Sequence, residues 1–154
     1  MNDVDDWGVS NQIFDYLNSL WGPFEVDWFA SDSNHKIDVF YSRYWNMECS
    51  GIDAFTTSWS GKRGWFCPPI YLVARVLAKF KEDKVFGCLI IPRWKSASFW
   101  PMLCPDGEIF DKFIKGVVFL TRSKQYFTCG RSYGSIFGNV DLNFTMIGLN
   151  IDCR

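Results

Sequence analysis

The stretch GWFCPPIYLVARVLAKFKEDKVFGCLIIP, residues 64–92, decides the fold class. A short aromatic run leads into a diproline, an amphipathic segment follows, and a continuous apolar run closes the stretch. The apolar residues of the middle segment share one stripe at helical spacing, and they are Leu72, Val73, Val76, Leu77 and Phe80. Residues 85–92 have the length and composition of a central strand that is covered on both faces. The stretch therefore predicts a strand, a helix and a second strand.

The segments around this unit alternate in the same way. Residues 10–23 predict a helix that begins after the N-cap candidate Ser10 and ends at Gly22 and Pro23. The other predicted segments, in chain order, are strands over 24–30 and 36–44, a loop over 51–64, a loop or short helix over 93–107, a short helix over 108–116 closed by Gly116, and strands over 116–122, 124–130 and 142–152. This order predicts an α/β sheet in one domain that spans residues 1–154.

The composition is that of an ordinary globular domain. The chain has 154 residues, which suits one compact core, and its 48% hydrophobic and 21% charged residues match typical soluble domains. No apolar run approaches the roughly 18–20 residues that cross a bilayer. The acidic start MNDVDDWGVS does not resemble a secretory signal. We therefore expect a soluble protein of the cytoplasm or nucleus, with no membrane partner.

The cysteines give little support to a zinc site. The chain has six of them at wide spacing, with no CxxC pair and with His35 as its one histidine. In a chain without a secretion signal, this pattern indicates reduced thiols, several of them buried as small apolar residues.

The charge pattern allows a local contact with nucleic acid. A net charge of -1 is unlike the basic excess of domains that coat phosphate backbones. The segment RWKSASFW, residues 93–100, nevertheless interleaves cations and aromatics. Arg93, Lys95 and Trp100 are therefore candidate nucleic-acid contacts that act by charge and stacking. The alternative is a loop at the sheet edge whose aromatic side chains turn inward.

Three blocks carry a resemblance to a known family: FEVDWFASDSNHKIDVFYS at 24–42, GIDAFTTSWSGKRGWFCPPIY at 51–71, and LIIPRWKSASFWPML at 89–103. They resemble the methyltransferase-like segment in polyproteins of DIRS-type tyrosine-recombinase retrotransposons, which is similar to phage-type DNA adenine methyltransferases. The resemblance implies a Rossmann-like, methyltransferase-type domain whose mostly parallel twisted sheet has an antiparallel C-terminal edge. It also implies neighbouring reverse transcriptase and ribonuclease H domains.

The resemblance places a site at the carboxyl ends of the strands. It implies S-adenosylmethionine as the cofactor and DNA with a flipped adenine as the substrate. The matching cofactor-pocket positions are Asp27, Phe29, Ala30, Ser31 and Asp53. The residues at the family's Asn-Pro-Pro-Tyr motif are Cys67, Pro68, Pro69 and Ile70. In that motif a proline carbonyl orients the target amine, while the aromatic residue stacks on the base.

Two departures from the motif affect catalysis. Cys67 replaces Asn or Asp, and because a thiol is a weak acceptor, we expect a loss on the order of 10²-fold in rate. Ile70 replaces the aromatic residue, which removes about 1–3 kcal/mol of base stacking. Ser31, Asn34 and Trp59 also match the family pattern, and turn formation for the two polar residues and core packing for Trp59 are alternative explanations. We therefore expect an impaired methyltransferase-like domain. The alternative is a non-catalytic module that binds nucleic acid or braces neighbouring polyprotein domains.

Two other chemistries receive less support from the sequence. Cys67 as a nucleophile has no histidine within easy sequence reach to lower its pKa. The carboxylates Asp27, Asp38, Asp53 and Asp106 would suit a two-metal nuclease, but no pair has a diagnostic spacing. The sequence therefore predicts no metal site.

Overall fold

The computed structural model describes residues 7–30, 36–37, 39–42, 54–120, 122, 127–129 and 144–154, and the structural statements below concern these residues. The helices are α1 (Asn11–Trp21), α2 (Val73–Asp83) and α3 (Trp100–Leu103). The strands are β1 (Trp7–Val9), β2 (Val26–Ala30), β3 (Phe40–Ser42), β4 (Arg63–Phe66), β5 (Phe86–Pro92), β6 (Ile114–Phe119), β7 (Phe127–Cys129) and β8 (Met146–Asp152). Short 3-10 turns lie at Ala54–Thr56 and Ile70–Leu72.

Six strands form one sheet in the order β3-β2-β4-β5-β8-β6. The first four pair in parallel. β8 is antiparallel to β5 on one side and to β6 on the other, so β6 runs in the same direction as β5. The predicted α/β class, with a mostly parallel sheet and an antiparallel edge, is confirmed.

The first helix has the boundaries that the sequence predicts. The Ser10 hydroxyl accepts a hydrogen bond from the Ile13 N–H at 3.3 Å, as an N-cap does. The Gly22 N–H donates to the Asn18 carbonyl at 2.9 Å and closes the last turn. Ile13 and Leu17 lie one turn apart and are buried. α1 therefore covers one face of the sheet with its apolar stripe.

The sheet separates two apolar cores. Phe66 and Leu89 belong to the core that contains the buried stripe of α2. Trp65 and Cys88, their neighbours in the chain, belong to the core that contains the buried residues of α1. Successive residues of a strand point to opposite faces, so both cores cover β4 and β5. β5 is buried along its whole length, which confirms the prediction of a central covered strand.

β4 and β5 approach closely at a pair of glycines. Gly64 pairs with Gly87, and Gly87 has a φ of 149°. A Cβ added to Gly87 would lie 2.1 Å from the Gly64 carbonyl oxygen. Glycine is therefore required at position 87 both for its backbone conformation and for the space. This contact fixes the position of β4 against β5.

The predicted short helix over residues 108–116 is wrong. The Asp106 carboxylate accepts hydrogen bonds from the N–H groups of Glu108 at 2.9 Å and Ile109 at 2.8 Å, so a turn forms there. β6 then pairs with β8, and Gly116 lies inside this strand rather than at a helix end. Pairing with a strand distant in the chain outweighs the local helical spacing.

A further difference concerns the pairing of β7 with a strand near the start of the chain. β7 confirms a strand within residues 124–130, but it pairs with β1, a strand that the sequence did not predict. These two strands form a separate sheet.

Within the described ranges, no helix combines the length and apolar character that crossing a membrane requires. The cytoplasmic or nuclear location stays a prediction.

Candidate functional site

The diproline lies at the carboxyl end of β4, in the parallel part of the sheet. β4 lies between β2 and β5, and all three run in the same direction. The chain passes from β2 to β3 on one side and then reaches β4 on the other. Open α/β sheets bind ligands at such a change of side, beyond the carboxyl ends of the strands. We call this edge the carboxyl rim, and it includes residues 67–70, Arg93, Leu120, Arg122 and Thr145.

The two prolines end the strand and start the next helix. The last pair of the β4–β5 ladder is Phe66 with Leu89. Proline has no N–H to continue such a ladder. The Pro69 carbonyl then accepts a hydrogen bond from the Leu72 N–H at 2.9 Å, which forms the 3-10 turn ahead of α2. Pro68 is buried and Pro69 is half-buried. The backbone around this motif is thus rigid.

The Cys67 side chain points into the core beneath α1. Its exposed fraction is 5%, and it packs in the same cluster as Trp65 and Cys88. Burial raises the pKa of the Cys67 thiol well above its ordinary value, and the charge of Asp27 raises it further, against a smaller opposing effect of a hydrogen bond with Trp65. The thiol is therefore neutral at physiological pH. This state opposes the interpretation of Cys67 as a nucleophile.

Ile70 and Tyr71 occupy different environments after the prolines. Ile70 is half-buried and packs against the core beneath α1. Tyr71 is 54% exposed. Tyr71, which directly follows Ile70, is therefore largely exposed, and it lies one position later than the aromatic residue of the family pattern.

Asp27 is a buried carboxyl in the middle of the sheet. It is the second residue of β2, and it pairs with Phe40 on one side and Trp65 on the other. Its exposed fraction is 2%. Its Oδ2 accepts a hydrogen bond from the Lys36 backbone N–H at 3.0 Å, whereas its Oδ1 has no partner among the described residues. Burial raises the pKa of Asp27 from 3.8 to about 7. Near neutral pH, the protonated and ionised forms are both populated.

Strand register brings Asp27 and Cys67 together. Asp27 pairs with Trp65, and Cys67 follows Trp65 by two positions, on the same face of the sheet. The influence of Asp27 on the pKa of Cys67 agrees with this placement. The two residues are far apart in the sequence. The sequence assigned them to different parts of the site, and only the register shows that they are neighbours.

Two of the other predicted cofactor residues lie on β2. Phe29 packs in an aromatic cluster, with ring centroids 5.6 Å from Phe55 and 5.8 Å from Trp59. Ala30 is the last residue of β2 and pairs with Ser42. The aromatic packing of Phe29 is a structural role. Its contact with a cofactor stays a prediction.

The remaining matches to the family are divided between the core and the undescribed part. Trp59 is fully buried, and its indole N–H donates to the Ala54 carbonyl at 2.8 Å. Its backbone N–H donates to Asp83 at the end of α2 at 2.9 Å. These contacts support the core-packing explanation of Trp59. The matches Ser31, Asn34 and Asp53 lie outside the described residues, as do His35 and the carboxylate Asp38.

The candidate nucleic-acid residues do not share one surface. Arg93 directly follows β5, and both Arg93 and Lys95 are exposed. Trp100 is 3% exposed, and its ring packs against Phe110 with centroids 5.9 Å apart. The Trp100 indole is thus turned inward, as the alternative interpretation of this segment requires. It does not present a face for a base in this structure.

The described part of the chain contains no cluster of three or more histidine, cysteine or acidic residues that would hold a metal. The Asp106 carboxylate caps a turn instead, and this hydrogen bonding lowers its pKa. The cysteines within the described residues are free thiols; Cys67, Cys88 and Cys104 are buried and Cys153 is half-buried. The prediction that several cysteines are buried as small apolar residues is confirmed for Cys67, Cys88 and Cys104.

Comparisons with known proteins do not add to this picture. No family model matches the chain, and no curated protein matches it.

Proposed function

We propose that the chain is a methyltransferase-like domain of the phage-type DNA adenine methyltransferase kind, derived from a retrotransposon polyprotein, in which methyl transfer is impaired. The observation that carries the proposal is the position of Cys67, Pro68 and Pro69 at the carboxyl end of a central parallel strand, beside the buried Asp27. In a fold of this kind, a flipped base and a cofactor would meet at that edge.

Asp27 is the described residue that best fits a bound S-adenosylmethionine. Its Oδ1 is buried without a partner among the described residues, and a donor from a ligand would satisfy it. When bound, this cofactor supplies the methyl group to be transferred. Asp27 would bind and orient it, and a near-neutral pKa allows its carboxyl to be ionised for that role.

The state of Cys67 supports impaired transfer. An amine that attacks a methyl group needs a strong acceptor that polarises it, and a carboxamide or carboxylate provides one. Cys67 provides a neutral thiol that points into the core. A half-buried Ile70 adds no aromatic face. The proline carbonyl is the one part of the motif that the replacements do not alter.

Calorimetry with S-adenosylmethionine tests whether the site binds a cofactor. We expect binding in the micromolar range, and we expect Asp27→Asn to weaken it because the ionised acceptor is lost. Asp106→Asn, an exposed carboxylate in a turn, is the matched control and should leave binding unchanged. Absence of binding at millimolar cofactor would remove the enzyme interpretation.

A methylation assay with adenine-containing DNA tests the role of position 67. Cys67→Asn should raise any trace of methyl transfer, because a carboxamide is a stronger acceptor than a thiol. Cys67→Ala removes the thiol without adding an acceptor, and it should give no gain. If Cys67→Asn binds the cofactor and yet shows no gain, the replacement at position 67 is not what limits transfer.

A second candidate function is a non-catalytic nucleic-acid-binding or scaffold module within a polyprotein. The neutral, inward-facing thiol of Cys67 and the exposed side chains of Arg93 and Lys95 favour it. Binding of DNA without binding of S-adenosylmethionine would select this candidate.

A further inference from the structure

Three strands bring an exposed ring and two cations to the same end of the sheet. Phe119 is the last residue of β6, Arg93 follows β5, and Arg122 lies three positions beyond Phe119. β5 and β6 run in the same direction on either side of β8. Their carboxyl ends are therefore separated by two strand spacings, roughly 10 Å. β5 and β6 are consecutive strands in the chain, but β8 lies between them in the sheet.

Thr145 holds both arginines in place. The Arg93 backbone N–H donates to the Thr145 carbonyl at 2.8 Å. The Arg122 guanidinium donates to the Thr145 hydroxyl through Nε at 3.2 Å and Nη2 at 2.9 Å. A guanidinium has five N–H donors, so most of those of Arg122 remain available to another acceptor. Thr145 directly precedes β8, and this attachment to the sheet limits the freedom of both residues.

The ring of Phe119 is 64% exposed. The Arg93 guanidinium carbon lies 5.8 Å from the centre of this ring, within the range of a cation–π contact. An exposed phenyl ring by itself is common on protein surfaces. Its contact with the exposed Arg93, and the attachment of Arg122 to the same Thr145 that binds Arg93, are a less common combination.

Neither guanidinium is neutralised within the described residues, where ion pairs join Lys79 to Asp83 and Arg154 to Asp152. Lys95 differs in this respect because it lies near acids: besides burial, Asp106 and Glu108 raise the pKa of the Cys104 thiol, and Lys95 lowers it. Among the described residues, no carboxylate therefore pairs with Arg93 or Arg122, whereas acids lie close to Lys95.

From this arrangement we infer that Phe119, Arg93 and Arg122 form a contact site for single-stranded nucleic acid. The phenyl ring stacks on a base, and the two guanidinium groups bind phosphates on either side of it. Proteins that bind single strands combine these two elements, a cationic track and an aromatic face. Planar guanidinium groups suit phosphate oxygens because they donate two parallel hydrogen bonds. The inference shares with the proposed function the expectation of a nucleic-acid partner, but it requires no cofactor and no chemistry.

Fluorescence anisotropy of the full chain with a labelled oligothymidylate of about 16 nucleotides tests the site. Phe119→Ala should weaken binding about tenfold because the stacking face is lost, whereas Phe119→Trp should retain it. The double variant Arg93→Gln with Arg122→Gln should reduce the slope of log affinity against log salt by about 1.4, since each phosphate contact on a single strand contributes about 0.7.

Lys84→Gln with Lys112→Gln is the control for net charge. These exposed lysines precede β5 and β6, so they lie at the opposite end of the sheet. This double variant should change the affinity less than twofold. Circular dichroism of each variant verifies that the fold is retained, and calorimetry with S-adenosylmethionine, which these variants should leave unchanged, separates failure of this site from failure of the proposed function.

Several outcomes would overturn the inference. The parent chain would show no binding of oligothymidylate at low salt, or Phe119→Ala would bind as the parent does, or the lysine control would weaken binding as much as the arginine variant. Tighter binding of a duplex that is insensitive to Phe119→Ala would show that the surface does not use stacking. Equal competition by inorganic phosphate or by anionic vesicles would show a general anion site.

Discussion

The carboxyl rim has two halves that differ in character. At the end of β4, Cys67 and Pro68 are buried and the thiol is neutral. At the ends of β5 and β6, Arg93, Phe119 and Arg122 are exposed, and the cations have no carboxylate partner among the described residues. The β4 half has the position expected of a reactive centre without strong reactive groups. The β6 half has the groups expected of a binding surface. In this fold, the features that suit binding and those that suit chemistry are on different strands.

The largest expected effect comes from a variant that separates β4 from β5, the neighbouring strands on which the two halves lie. Gly87→Ala should cost on the order of 5 kcal/mol in free energy of unfolding, because the added Cβ meets the Gly64 carbonyl oxygen at 2.1 Å. Gly107 also has a positive φ, 86°, but nothing lies within 4 Å of its added Cβ. Gly107→Ala should therefore cost only about 1–2 kcal/mol from backbone strain.

Urea denaturation of both glycine variants provides the measurement. Equal costs for the two variants would show that backbone conformation alone determines the effect, and that the contact between β4 and β5 is not tight.

Aromatic truncation in each half should give unequal losses of stability. Trp65 is 1% exposed and packs edge-on against Phe14 with ring centroids 4.9 Å apart. We expect Trp65→Ala to cost about 3–5 kcal/mol. Phe119→Ala should change the free energy of unfolding by less than about 0.5 kcal/mol, because the ring is already largely in solvent. A similar loss for both, measured by urea denaturation, would mean that the ring of Phe119 packs against something in the folded protein.

The pH dependence of stability should originate at Asp27 of β2, next to the β4 half of the rim. The pKa of Asp27 is raised to about 7 in the folded protein from 3.8, so the folded state binds the proton more tightly than the unfolded chain does. The stability that this provides is complete below the unfolded pKa and is lost as pH rises through about 7. The difference corresponds to about 4 kcal/mol at most. The neighbouring thiol Cys67 and the more distant Cys88 have raised pKa values and stay neutral over this range.

Asp27→Asn should flatten the fall in stability between pH 4 and pH 7, measured as the urea midpoint at each pH. Asp106→Asn keeps the buried carboxyl and should keep the fall. Since the pKa of Asp106 is lowered in the folded protein, its own contribution is lost as pH decreases. A parent protein that becomes more stable between pH 5 and pH 8 would contradict this account of Asp27.

Local sequence patterns correctly predicted the elements whose ends and buried faces are marked by their own residues. α1, α2, β2, β4, β5 and β8 were predicted within a few residues, because caps, stripes and apolar runs lie in the elements themselves. The predicted helix over residues 108–116 was wrong because the decisive interaction of β6, which includes the end of this range, is its pairing with β8. The short strand β1 carries too few residues for a periodic signal.

The site was less predictable than the fold. The position of the diproline at the carboxyl rim followed from the sequence. The proximity of Asp27 and Cys67 did not, because it depends on which residues of β2 and β4 are in register. No sequence pattern groups Phe119 and Arg122 with Arg93, because their proximity depends on β8 lying between β5 and β6. For Trp100, the sequence was compatible with both a surface contact and an inward-turned ring, and its side chain is buried.

The placement of β8 also constrains the order of assembly. β5 and β6 are not paired with each other, and each reaches the other only through Met146–Asp152, which joins them long after both have been synthesised. Until those residues arrive, the apolar edge of β5 is an open template for pairing with another chain. A ribosome-bound intermediate that lacks them would therefore carry its aggregation risk at the centre of the future sheet, and a chaperone would be most useful there.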